Sequence, residues 1–180
     1  MSSQQTQWLP SEADDRSLIK FLFMSVLSFF IGTVHGVLQV QAPIRAWLDS
    51  IGSPYGGPGH MIDPLAHAHI NVVGGVVFIC MAVTYYLLPR ISKQPLFSQR
   101  LVNHTFWWTA IGLAGFYLTL MVFGTIEGNL LLAGDSEGMA TAHSYYKPTI
   151  AVVSTVMGVG FWVFFTNIFI TMKNIYKQRS

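Results

Sequence analysis

The sequence predicts an all-α integral membrane protein, a four-helix bundle, and three observations carry that prediction. Only 10% of the 180 residues are charged while 52% are hydrophobic, with a mean hydropathy of +0.46. A soluble domain of this size typically carries about 25% charged residues. The charges are also excluded from four stretches, 21–44, 64–89, 101–126 and 148–172, which hold no Asp, Glu, Lys or Arg. Each exceeds the ~20 residues that an α-helix needs to cross about 30 Å of hydrocarbon. Backbone polar groups must be paired internally in lipid, so such stretches read as spanning helices.

The first helix is expected over about 17–41, after a short mobile cytoplasmic tail at 1–16. Its apolar run is too long for a signal peptide, and Gln39–Val40–Gln41 lacks a small-residue cleavage pattern, so it reads as retained. The loop that follows is turn-rich, with Gly52, Pro54, Gly56, Gly57, Pro58 and Gly59. Within it Ile44–Leu48 suits a short amphipathic turn with Trp47 at headgroup depth. Pro64 opens the second helix, expected over about 64–89, where its missing N–H costs nothing. Tyr85 and Tyr86 form an aromatic belt before Pro89 ends it. The third helix is expected over about 101–127. The fourth, about 147–172, opens at Pro148 after Tyr145 and Tyr146. Residues 17–176 thus form one transmembrane domain without a soluble module.

Flanking charge sets the expected orientation. Arg16 and Lys20 precede the first span, Arg90, Lys93 and Arg100 join the second to the third, and Lys173, Lys177 and Arg179 follow the fourth. The other side holds Arg45 and Lys147 against Asp49, Asp63, Glu127, Asp135 and Glu137. The positive-inside rule places both termini in the cytoplasm, in a bacterial inner membrane. The lone Cys80 lies mid-span and offers neither a disulfide nor a thiolate cluster within one chain. The expected partners are the lipid bilayer and redox subunits or further copies of the chain; no nucleic acid is expected.

Small residues recur at helix-packing spacing in Gly32/Gly36, Gly124/Gly128 and Ser154/Gly158. They permit close helix approach, and they equally leave room beside a flat macrocycle.

Six histidines carry the functional signal. His35, His60, His67, His69 and His143 gather at one membrane depth on the non-cytoplasmic side, and His104 lies opposite. Ionisable residues in spans are costly and usually functional. His67 and His69, two apart, are separated by about 200° around a helix, so they serve different faces. The His67 face continues through Asn71 and Gly74, polar then small, which suits a ring plane lying against the helix. A low-spin haem asks for two axial imidazoles and an apolar slot. Without CxxCH a covalent c-type haem is excluded, and haem b is the expected cofactor. The candidate ligands are His67, His69, His35 and His143, with Asn71, Gly74, Gly32 and Gly36 lining the slot. Copper is the second option, since outer-side histidines could supply three or four ligands.

The run Asp63-Pro-Leu-Ala-His-Ala-His69-Ile-Asn-Val-Val-Gly74, closing with Tyr85-Tyr-Leu-Leu-Pro-Arg90, resembles the tenth helix of subunit I of haem–copper oxidases. It is nearest to the nitric oxide reductase and C-type oxidase branch. Phe29–Gly36 resembles the preceding helix, His104–Gly112 with Gly124–Gly128 the eleventh, and Tyr145–Tyr146 with Gly158 and Asn167 the twelfth. The resemblance covers nearly all of the chain but only the family's last four helices. It implies that the H-x-H pair serves one low-spin and one active-site haem. The family's copper histidines and second-helix haem ligand have no counterpart, so a lone chain is expected to lack a haem–copper centre. His35 and His143 stand at the right depth to replace the missing ligand. Alternatively a homo-oligomer, a trimer in the simplest case, would hold haem between His67 of one protomer and His69 of the next. The function implied is a haem-b electron-transfer subunit of a respiratory-type complex, linked to quinone, with Glu127 as a candidate proton acceptor or simply an interfacial acid. The alternatives are a minimal nitric oxide or oxygen reductase-like haem enzyme and a structural subunit, cofactor-free or copper-binding.

Overall fold

The computed structural model describes residues 12–179. Its order is α1 (Glu12–Gln39), α2 (Ala42–Ser50), α3 (Gly57–Ser92), α4 (Gln99–Leu132) and α5 (Ser136–Arg179). All but α2 are long and apolar enough to span a membrane, so the all-α, four-span architecture stands. Large apolar side chains such as Phe23, Phe30, Trp162 and Phe169 lie exposed on the outside of the bundle, as contact with lipid requires.

Several boundaries depart from expectation. Residues 1–11 of the expected tail lie outside the described residues, and 12–16 already belong to α1. Pro89 does not end α3, which runs to Ser92 and stops at Lys93 in a left-handed conformation (φ 61°). Pro148 does not open the fourth span but sits inside α5, so His143, Tyr145 and Tyr146 are helical. A proline removes one intrahelical donor, here the one that would serve the Ser144 carbonyl, and the helix continues through it. Beside it Thr149 Oγ1 donates to the Tyr145 carbonyl (2.8 Å) and Ser144 Oγ to that of Thr141 (2.7 Å).

The spans run up and down. At one end Arg90 pairs with Asp15 (2.6 Å), Gln99 Nε2 donates to Ser17 Oγ (2.8 Å), and Asn167 clamps the turn before α4. Asn167, fully buried, donates to the Ser98 carbonyl (3.0 Å) and accepts from the Ser98 N–H (3.1 Å). A core of Phe21, Phe78, Tyr85 and Phe106 packs edge to face just inside this end, with Tyr85 Oη 2.9 Å from Thr105 Oγ1.

Lipid supplies no hydrophobic drive for helices to associate, so close backbone approach and interhelical polar contacts carry the bundle. Gly32 and Gly74 lie directly against the side chains of Asn71 and Ser28 at the α1–α3 interface. Gly124 and Gly128 admit Ile62 and Ile51, and Gly112 and Gly160 let α4 and α5 touch backbone to side chain at Met157 and Thr109. Gly158 faces open space. Ser25 Oγ donates to the Gly75 carbonyl (2.7 Å) across α1 and α3, a class of contact averaging about 0.6 kcal/mol in a bilayer.

Candidate cofactor-facing histidines

An arginine anchors the local geometry. Arg45, on α2, bonds Asp49 (2.6 and 2.9 Å), Asp63 (2.7 Å) and Ser53 (2.8 Å), and Ser53 Oγ lies 3.0 Å from both the carbonyl and carboxylate of Asp63. The hydrogen bond to Asp49 first, and that to Asp63 second, raise the Arg45 pKa above its ordinary value. The network holds Asp63 extended (φ −131°, ψ 113°), an interruption after which α3 resumes at Pro64. Over 70–77 the helix is wound wider, with i→i+5 bonds. Such widening is often found at functional positions. His67 and His69 sit between the interruption at Asp63 and the widened stretch.

The two rings meet different neighbours. His67 lies against α1, where a Cβ on Gly36 would come within 2.9 Å of its Cε1. Its ring meets His35 edge-on, centroids 5.2 Å apart at 88°. His35 shares a 3.2 Å hydrogen bond between Nδ1 and Tyr117 Oη. Neither His35 Nε2 nor His67 Nδ1, both buried, has a hydrogen-bond partner. His69 instead packs on Phe116 of α4, centroids 4.5 Å apart, and places Nδ1 2.8 Å from the Leu65 carbonyl. A carbonyl only accepts, so Nδ1 carries the proton and Nε2 of the neutral ring keeps its lone pair.

Asn71 donates from Nδ2 to the His67 carbonyl (2.8 Å) while its amide rests on Gly32. His143 stands apart, with Nδ1 3.2 and 3.3 Å from the carboxylate oxygens of Glu127. Glu127 is only 3% exposed, because Gly124 and Gly128, flanking it, bring other elements close enough to cover it. His60 Nδ1 contacts the Pro54 carbonyl (2.5 Å), and His104 is exposed. Thus the structure joins His35 to His67, leaves His69 on the other flank, and separates His143 from all three. Tyr117, Arg45 and Asp63 were missed as participants. Tyr117 shares His35's depth, but no spacing rule announces a contact across 82 positions.

The donor chemistry can be tested against a haem. An imidazole that donates Nδ1–H to a backbone carbonyl and keeps Nε2 free is oriented as iron-ligating histidines generally are. His69 meets that condition. Between α1 and α3 the arrangement differs. His35 and His67 are in ring contact, and Gly32, Gly36 and Gly74 carry Asn71, His67 and Ser28, so these residues form a helix interface without space for a macrocycle. His67 is thus engaged by its own α1. No three His, Cys, Asp or Glu side chains converge among the described residues.

Fold and site define a multi-pass, all-α membrane protein with imidazoles packed between its spans. The comparisons identify the family. Residues 11–146 match the model for cytochrome c and quinol oxidase polypeptide I, and the chain belongs to that family. It is 22% identical over 126 residues to the Cbb3-type cytochrome c oxidase subunit CcoN1 of Stutzerimonas stutzeri, covering 69% of this chain and 24% of that protein. It is 28% identical over 142 residues to cytochrome c oxidase subunit 1 of Rhodobacter capsulatus, covering 68% of this chain and 26% of that one. The chain therefore spans about a quarter of the length of these curated relatives. No solved structure matches it.

Proposed function

We propose that the chain is a haem-b-binding electron-transfer subunit of a respiratory-type redox complex, linked to quinone, in a bacterial inner membrane with both termini cytoplasmic. The observation that carries the reading is His69, whose Nδ1–H is committed to the Leu65 carbonyl and whose Nε2 is thereby the ligating nitrogen. Haem b, when bound, supplies a one-electron iron couple. The chain's contribution is to hold the imidazole: Leu65 sets its tautomer, and Phe116 limits rotation of the ring. Family membership supports a haem environment, and the quarter-length coverage supports completion of the site by a neighbour, a second copy or another redox subunit.

A reduced-minus-oxidised visible spectrum with pyridine haemochrome quantification of the purified membrane protein tests this. A b-type spectrum lost in His69→Ala is expected; protein without Soret absorbance leaves a structural subunit, and elemental copper without that absorbance leaves the copper-binding one. One observation favours a second reading, a minimal nitric oxide or oxygen reductase-like enzyme. His69 has no second imidazole beside it on its flank among the described residues, which suits iron open on one side. Carbon monoxide separates the two: the reduced spectrum of a bis-histidine haem barely responds, whereas an open iron shifts strongly.

A further inference from the structure

A cavity of ≈350 Å³ lies between α1 and α4 at the α2 end of the bundle, apart from His69. Val34 and Leu38 of α1 form part of its wall and are themselves exposed, so it opens sideways where lipid chains would run. Trp47 of α2 contributes to the wall at the interfacial end. Its volume is at the lower end of the range that takes a single small organic ligand.

Besides Thr125, whose hydroxyl donates to the Met121 carbonyl (2.8 Å), three polar side chains join this apolar wall: His35, Gln39 and Tyr117. His35 is 7% exposed, and its Nε2 is buried with no partner; Gln39 Oε1 is likewise buried and unpartnered. Leaving a buried polar atom unsatisfied costs about 1–3 kcal/mol, so two such atoms in adjacent residues of one wall need an explanation. His35 and Gln39 are one turn apart on α1, with Cβ atoms at that spacing roughly 5–6 Å apart on the same face. All three groups are amphoteric. An amide presents oxygen or nitrogen according to its soft terminal torsion, a phenol donates or accepts, and an imidazole exchanges tautomers with the phenol it faces. A wall of this kind can hold a ring oxygen either as a hydroxyl or as a carbonyl. A ligand of one fixed hydrogen-bonding sense would not need that property.

We infer that this cavity binds the head group of a membrane-soluble para-quinone or its hydroquinone, with His35 and Gln39 as the partners of the ring oxygens and Tyr117 as the hydrogen-bond partner that lets His35 switch tautomer. The sideways opening admits a ligand already dissolved in the bilayer, and the apolar walls take its ring. The inference deepens the quinone link proposed above by giving it a location, and it concerns binding alone.

The test uses the full chain in nanodiscs, with a decyl-substituted dimethoxy-methyl-hydroquinone as the probe and its 1,4-dimethyl ether as the control. Binding is read by quenching of Trp47 fluorescence, identified as the part of the signal lost in Trp47→Phe. The hydroquinone should bind about tenfold more tightly than its ether, the worth of one good hydrogen bond. Gln39→Met should remove that preference without abolishing ether binding, and Val34→Trp, which fills the cavity, should abolish both. Should Gln39→Met fail to fold, Tyr117→Phe provides the second measurement and should reduce the preference. Equal affinity for hydroquinone and ether in the unaltered protein, or a preference that survives both Gln39→Met and Val34→Trp, overturns the inference. So does a photo-crosslinker placed at Leu38 that captures another polypeptide helix. The two readings fail separately: protein that carries no haem as purified yet still discriminates removes only the electron-carrier proposal, and haem-loaded protein that does not discriminate removes only this inference.

Discussion

The two flanks of α3 differ in what they do with an imidazole. On the α1 flank His67 enters the notch left by Gly36, touches His35 edge-on and keeps a buried nitrogen without a partner. On the α4 flank His69 is stacked on Phe116 and committed through Nδ1 to a carbonyl one turn back. One histidine has become part of a helix interface, and the other has its Nδ1 committed to a carbonyl, which selects one tautomer of the neutral ring. The lesson is that two identical side chains, two residues apart, acquire different chemistry from the helix each faces. Glycine opposite one makes contact; a carbonyl and an aromatic ring beside the other make orientation.

The sharpest way to break the comparison is His69→Ala. It should remove essentially all haem from protein that still folds, measured by pyridine haemochrome per mole of protein. Next in size is the α4–α5 contact. A side chain at Gly112 would collide with the backbone and side chain of Met157, so Gly112→Leu should destabilise the bundle by about 1–3 kcal/mol, seen as a lower thermal midpoint in detergent. Gly36→Leu, which pushes on His67, should fall in the same range or below it, because a side chain can yield where a backbone cannot. Haem per folded molecule should stay unchanged in Gly36→Leu, and its loss would show that the two flanks are not independent.

Smaller again is Asp63→Asn. Arg45 keeps Asp49, and the pair is partly exposed, so a cost of about 1 kcal/mol or less is expected. Hydrogen exchange should nevertheless rise at the amides of 62–67, where the network holds the interruption of α3. The smallest effect is the most discriminating. His67→Phe replaces a ring bearing an unsatisfied buried nitrogen with an apolar ring, and such exchanges can be neutral or stabilising. A thermal midpoint unchanged or raised, with haem retained, supports the division; loss of haem equal to that of His69→Ala would abolish it.

Much of the fold was legible because a bilayer tolerates so few structures. Charge-free runs of sufficient length must be helices, and all four appear. Boundaries were less legible where proline was taken as punctuation. Pro148 sits within α5, where the helix continues across a missing N–H, a continuation that hydropathy does not register. At the candidate site the opposite directions of His67 and His69 follow from helical rotation. Their partners do not, since Gly36, Phe116 and Tyr117 come from other spans.

Periodicity and the avoidance of charge in lipid determined, from the residues alone, that this chain crosses the membrane four times and carries most of its imidazoles at one depth. Which glycine receives His67, which carbonyl orients His69, and that Glu127 lies buried against His143 were decided only when the helices met. Hydropathy is a property of each segment by itself, whereas the contact of one side chain with another span depends on how the helices are rotated and how closely their backbones approach.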